Sequence, residues 1–128
     1  MDFNNRQAIY LQIADIFCER ILKRQWREGE KIPSIRDTAV MVEVNPNTAM
    51  RTYTFLQDKG IIYNKRGIGY FVAEDGYDKT LQFKKEAFVK EELPNLFHTM
   101  EILKMKPEDL GDYFKSFKND LNNGKSNN

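Results

Sequence analysis

One cysteine, one histidine and four prolines occur in 128 residues. The lone Cys18 can close no internal disulfide, so a cytoplasmic, reducing setting is expected. It stands on the apolar side of a helical stretch and reads as a small core side chain. The lone His98 lies between apolar neighbours and reads as a packed or surface histidine rather than a metal ligand. No Ser–His–Asp spacing, zinc-ligand spacing or phosphate-cradling glycine loop is present, so no catalytic residue, metal or cofactor is expected. The acidic pairs Glu91-Glu92 and Glu108-Asp109 read as helix-surface or first-turn charges. No apolar run nears the roughly 20 residues that a helix needs to cross a bilayer. The opening MDFNNRQ lacks the basic-then-apolar order of a secretory leader. No membrane partner is expected.

Net charge is also scarce, at +1. The distribution says more than the sum. Residues 1–73 carry eleven basic against eight acidic side chains, and residues 74–128 carry nine against eleven. Between Asn45 and Ala73 the bases Arg51, Lys59, Lys65 and Arg66 face the single acid Asp58. A positive excess confined to one stretch is a weak pointer to a polyanion.

Periodicity supplies the fold. In 7–25 the apolar residues Ile9, Ile13, Ile16, Phe17, Ile21 and Leu22 mark one face of a helix. After Gly29, Lys31-Ile32 suits one short strand. Ser34, with Asp37 three residues on, resembles a capping box and starts a second helix with Ile35, Ala39 and Val42 inward. A third helix is expected from Pro46 to Asp58. Asn45 can cap it, Pro46 suits its first turn, and Gly60 ends it. Ala49, Tyr53 and Leu56 share its inner face with Thr52 beside them, while Asn47, Arg51, Thr54 and Asp58 share the other. IIYN, KRGIG and YFVA read as a hairpin with a glycine-bearing tip. Helix, turn, helix and hairpin in that order make a winged helix-turn-helix.

Residues 74–121 are helical and rich in Phe and Leu, with Pro94 and Pro107 as expected boundaries between pieces at 75–92, 94–105 and 107–121. Short helices with so many apolar groups must pack on one another, on the first domain or on a second copy. The stripe Phe88, Leu93, Leu96, Phe97, Met100, Leu103, Leu110, Tyr113, Phe114 and Phe117 is read as a dimer core. The expected class is mainly α (α+β), with a DNA-binding domain at 1–73, a helical dimerisation region at 74–121 and a disordered tail at 122–128.

Three stretches carry a resemblance to the GntR family of bacterial transcription regulators. GEKIPSIRDTA at 29–39 is similar to the family's strand and second-helix start, VNPNTAMRTYTFLQDKG at 44–60 to its recognition helix, and RGIGYFV at 66–72 to its wing. The tail is too short for the family's large effector domains. With LPNLFHTMEILKMKPEDL at 93–110 it resembles the YtrA-like subfamily. That resemblance implies a dimeric repressor, often encoded beside membrane transporters, that binds double-stranded DNA.

A recognition helix places its N-terminal residues at base edges in the major groove. Asn47 and Thr48 are short and carry donors and acceptors, and asparagine can pair with adenine. Arg51, one turn on, can reach guanine or a phosphate. Ser34, Asn45 and Thr52 are grouped with them. Arg36 matches an arginine that contacts DNA in the family. Lys65 and Arg66 at the wing tip, with Gly67 and Gly69 beside them, suit a minor groove. Dimerisation would set two recognition helices roughly 34 Å apart on an inverted-repeat operator. Pro46 and Met50 stand where many relatives carry basic or amide side chains, so the operator should differ from theirs. Phe55 stands where a polar residue is common, and is expected to be partly exposed or covered by the tail. A small-molecule effector could lodge at the dimer interface, although no residue names one. The competing reading is a winged helix that docks a partner protein, and it differs by a weak response to salt.

Overall fold

A computed structural model of the chain describes residues 7–126. It divides into two compact units, the first ending at Lys85 and the second starting at Glu86. In the first, helix α1 (Ile9–Leu22) turns Ile13, Ala14, Phe17, Cys18 and Ile21 inward at helical spacing. Helix α2 (Ile35–Met41) has only seven residues and could not stand alone. Ser34 accepts the Asp37 N–H at its start (3.0 Å), and Thr38 and Ala39 are buried. Helix α3 (Pro46–Asp58) buries Ala49, Thr52, Tyr53 and Leu56 completely, and Asn45 caps it. Both helix starts and the end of α3 fall where Ser34, Asn45 and Gly60 predict.

The turn between α2 and α3 passes through Glu43 at φ 57°, in the left-handed region that favours glycine. The Glu43 N–H donates to the Val40 carbonyl and the Val44 N–H to the Ala39 carbonyl. Glu43→Gly relieves the Cβ strain but frees the unfolded chain. Its expected net effect is a stabilisation of about 0.5–1 kcal/mol, read from a urea midpoint.

Strands β1 (Ile62–Lys65) and β2 (Gly69–Val72) pair antiparallel, with Ile62 opposite Val72 and Lys65 opposite Gly69. The segment before α2 lies along β2. The Ile32 N–H donates to the Tyr70 carbonyl (2.9 Å), the Val72 N–H donates to the Glu30 carbonyl (3.0 Å), and Lys31 bridges to Phe71. The expected strand at Lys31-Ile32 is thus a single bridge. Ile32, Ile61, Ile62 and Val72 close the core over α1 and α3.

Helix α4 (Gly76–Ala87) begins against that hairpin. A Cβ on Gly76 would lie 2.8 Å from both the Ile61 carbonyl oxygen and Val72 Cγ1, and the buried Thr80 hydroxyl donates to the Gly76 carbonyl at 2.6 Å. Close contact at a residue without a side chain draws the start of α4 into the first unit. The first compact unit thus runs beyond the hairpin to Lys85.

In the second unit, Phe88–Glu92 form a π-helical turn, α5 spans Leu93–Leu103 and α6 spans Pro107–Ser126. Pro94 marks the expected boundary, which is a π turn running into α5 rather than a break in the helical course. Pro94 sits in the first turn of α5, where a proline lacks an N–H for the preceding turn and crowds its carbonyl. The extra residue of a π turn accommodates both. Lys104, left-handed at φ 58°, ends α5. The Asp109 carboxylate accepts the Lys106 N–H as α6 begins. The expected disordered tail is helical over 122–126, because a long helix extends at little cost once formed. Positions 127–128 lie outside the described residues, as does MDFNNR. No described helix is long and apolar enough to cross a membrane.

Candidate nucleic-acid interface

Burial divides α3 into two faces. Tyr53, on the inner face, meets Phe17 and Tyr70 edge-on at centroid distances of 5.4 and 4.7 Å. Its hydroxyl donates to the Pro33 carbonyl and lies 2.8 Å from Thr38 Oγ1. Burial pushes the Tyr53 phenol up to about 12, against the hydrogen bond from Thr38. These ties fix α3 against α2 and the wing.

The outer face is left for solvent. Asn47, Met50, Arg51 and Thr54 are exposed and Thr48 is half-buried. Asn45 Oδ1 accepts the Asn47 N–H at 2.8 Å, so the carboxamide oxygen of Asn45 is engaged while its NH2 remains a donor. At the start of α2, Ser34 and Arg36 are exposed. Ser34 Oγ accepts from Asp37, which leaves the hydroxyl proton free to donate.

The wing tip is a tight turn closed by the Ile68 N–H on the Lys65 carbonyl, with Gly67 at φ 79° and Gly69 at φ 143°. It projects Lys65 and Arg66 into solvent. A side chain on Gly69 would lie 2.8 Å from Lys31 Cε, so Lys31 runs along the hairpin there. Sequence reasoning missed this third cation. The signal available was its pairing position in the strand before α2.

Thr52 does not belong with the exposed residues. It is completely buried, and its hydroxyl donates to the Tyr10 carbonyl at 2.8 Å. Its place beside the inner face of α3 was the cue. Tyr10 itself was not singled out from the sequence. It meets the Arg51 guanidinium, whose Cζ lies 4.1 Å from the ring centroid. Tyr10, Met50, Arg51, Thr54, Phe55 and Asp58 line a cleft of about 270 Å³. Phe55 is half-buried, with Tyr10 at 6.2 Å and Phe83 of α4 at 5.7 Å between ring centroids.

Enzyme-like features do not develop around these groups. Cys18 is fully buried, and burial pushes its thiol up to about 11, far from a reactive thiolate. His98 is exposed. Among the described residues no group of three or more His, Cys, Asp or Glu side chains could hold a metal ion.

The second unit exposes an apolar surface of a different kind. On α6, Leu110, Tyr113, Phe114, Phe117 and Leu121 recur at helical spacing, and the three aromatics are each 60% exposed or more. Phe88, Leu96, Phe97 and Leu103 are exposed as well, with Leu93 and Leu110 half-buried. Met100 departs from the expected stripe. It is 5% exposed and has no surface left for a partner.

Comparison with known proteins places these features. Residues 9–72 match the model for bacterial regulatory proteins of the gntR family. The chain is 34% identical to the uncharacterized HTH-type transcriptional regulator YhcF of Bacillus subtilis, over 90% of this chain and 93% of that one. It is 32% identical to the HTH-type transcriptional repressor YtrA of Bacillus subtilis, over 99% and 97%. A solved GntR-family regulator from Bacteroides thetaiotaomicron superposes with a TM-score of 0.75 at 41% identity, covering 89% of this chain and 99% of that one.

Proposed function

The chain belongs to the gntR family of bacterial regulatory proteins and is a DNA-binding transcription regulator rather than an enzyme; from that premise we propose that it is a homodimeric repressor of the YtrA type that reads an inverted-repeat operator. The observation that carries the DNA-reading part is the polar outer face of α3, where Asn47, Thr48 and Arg51 follow the capped N-terminus in its first two turns. Helix starts lie at base edges when a recognition helix enters the major groove. Asn47 is suited to adenine, and Arg51 to guanine or a phosphate. Ser34, Arg36, Asn45, Lys65 and Arg66 serve as backbone contacts that fix register, and Gly67 and Gly69 let the wing approach closely.

Dimerisation is supported by the uncovered aromatic stripe of α6 and the exposed residues of α5. Contiguous apolar surface on this scale marks an association site, and a second copy of the same stripe is its simplest complement. The repressor assignment is supported by the name of the YtrA relative. Control of a transporter operon follows from the subfamily resemblance, and an adjacent transporter gene is the observation that bears on it. An effector, if one acts, would bind at the dimer interface.

The test is selection from a random DNA pool. Enrichment of an inverted repeat is the expected result, with affinity falling steeply as salt rises. Asn47→Ala and Arg51→Ala are each expected to weaken operator binding by about tenfold to a hundredfold, equivalent to about 1–3 kcal/mol per base contact. No enrichment by a folded protein, or wild-type affinity in both variants, would sink the reading.

A further inference from the structure

We propose that Tyr10 is a positioning residue for sequence recognition, holding the Arg51 guanidinium over its ring so that its N–H groups are presented to one base pair. The inference rests on α3 being the element that reads DNA. An exposed arginine samples many rotamers, and ordering it on binding opposes affinity. Here the Arg51 guanidinium carbon already lies 4.1 Å from the Tyr10 centroid. Among the described residues no ion pair involves Arg51, and the contact it makes is with the ring.

The geometry of the two interactions is compatible. Stacking uses the face of the guanidinium, whereas pairing with guanine O6 and N7 uses two N–H groups in its plane. Arg51 can therefore remain on Tyr10 while it contacts a base. Tyr10 is in turn held from two sides. Its carbonyl accepts the buried Thr52 hydroxyl at 2.8 Å, and its ring meets Phe55 edge-on. Phe55 is backed by Phe83. A row of rings thus reaches from α4 to the arginine, and a residue of α1 sets the aim of a side chain on α3.

The test compares Tyr10→Phe, which keeps the ring, with Tyr10→Leu, which removes it. Each is measured against the selected operator, the operator with each base pair changed singly, and an unrelated duplex. Tyr10→Phe should bind as the wild type does. Tyr10→Leu should lose about twofold to fivefold on the operator, as expected for an exposed cation–π contact, with unchanged affinity for the unrelated duplex. It should also flatten preference at the same base pair as Arg51→Ala, and add nothing in the Arg51→Ala background. If Leu lowers the melting midpoint, Tyr10→Met fills the space without a ring and replaces it. Equal losses on both duplexes, or a loss that persists without Arg51, would overturn the inference. Failure of the wild type to select any sequence would instead overturn the reading it rests on.

Discussion

Replacing Phe114 and Phe117 together by Asp is expected to give a monomer whose operator affinity is lower by about a hundredfold to ten-thousandfold. Both side chains are exposed on α6, so the fold of the chain does not depend on burying them. In a dimer they would be desolvated, and two carboxylates facing their symmetry mates would oppose association. Once one half-site is bound, the second engages at a high effective concentration, and that advantage is what the monomer loses. Sedimentation of wild type and variant measures assembly, and binding to full and half operators measures avidity. A half operator should bind both proteins alike. If the double variant stays dimeric with full affinity, the α6 stripe is not the interface.

Tyr53→Ala is expected to lower stability by about 3–5 kcal/mol, a large part of the roughly 5–15 kcal/mol that folded domains possess. The ring is fully buried between Phe17 and Tyr70. The hydroxyl joins two segments that the ring alone would not, Pro33 before α2 and Thr38 within it. Tyr53→Phe keeps the packing and strands both partners, and should therefore lower stability by about 1–3 kcal/mol. Urea denaturation separates the two variants. The phenol also titrates at a raised value, from 10.0 to about 12, so burial favours its neutral form. Stability from that source is complete below pH 10 and is lost as pH rises toward 12. Tyr53→Phe should remove that part of the alkaline decline and leave the remainder.

The helix-turn-helix was legible because its punctuation is local. Asn45, Pro46 and Gly60 bound α3, and Ser34 opens α2, each through interactions within a few residues. The hairpin was legible from two short apolar runs around KRGIG. What was not legible depends on contacts distant in sequence. Gly76 falls inside the helical piece expected at 75–92, yet nothing in the sequence shows the contact with Ile61 and Val72 that its missing side chain permits. Pro94 marks the start of α5 as read, but a π turn has no sequence signature of its own, so the form of that junction was not legible. Thr52 lies beside the inner face of α3, which hinted at its burial, but its bond to the Tyr10 carbonyl spans two helices and has no local signal. The candidate contacts at Asn47, Arg51 and the wing tip were found from residue type and helical spacing. Tyr10 was not, because its contribution is made across two helices.

Helix α1 opens without a side-chain cap, since the residue before it is Ala8, and the Leu11 and Gln12 N–H groups share the Ala8 carbonyl. Among the described residues no side chain caps the Ile9 and Tyr10 amides, and an uncapped first turn is where a helix opens most readily. Tyr10 belongs to it. Fraying of a single turn would break the bond from Thr52 and release Arg51 while Ile13, Phe17 and Ile21 stay closed. Such fraying would switch the arginine from an aimed to a loose state by a motion much faster than unfolding, so that operator binding would close the turn. Amide hydrogen exchange at Ile9–Leu11 should be rapid without DNA and slow on the operator, whereas exchange at Ile13–Ile21 should hardly change.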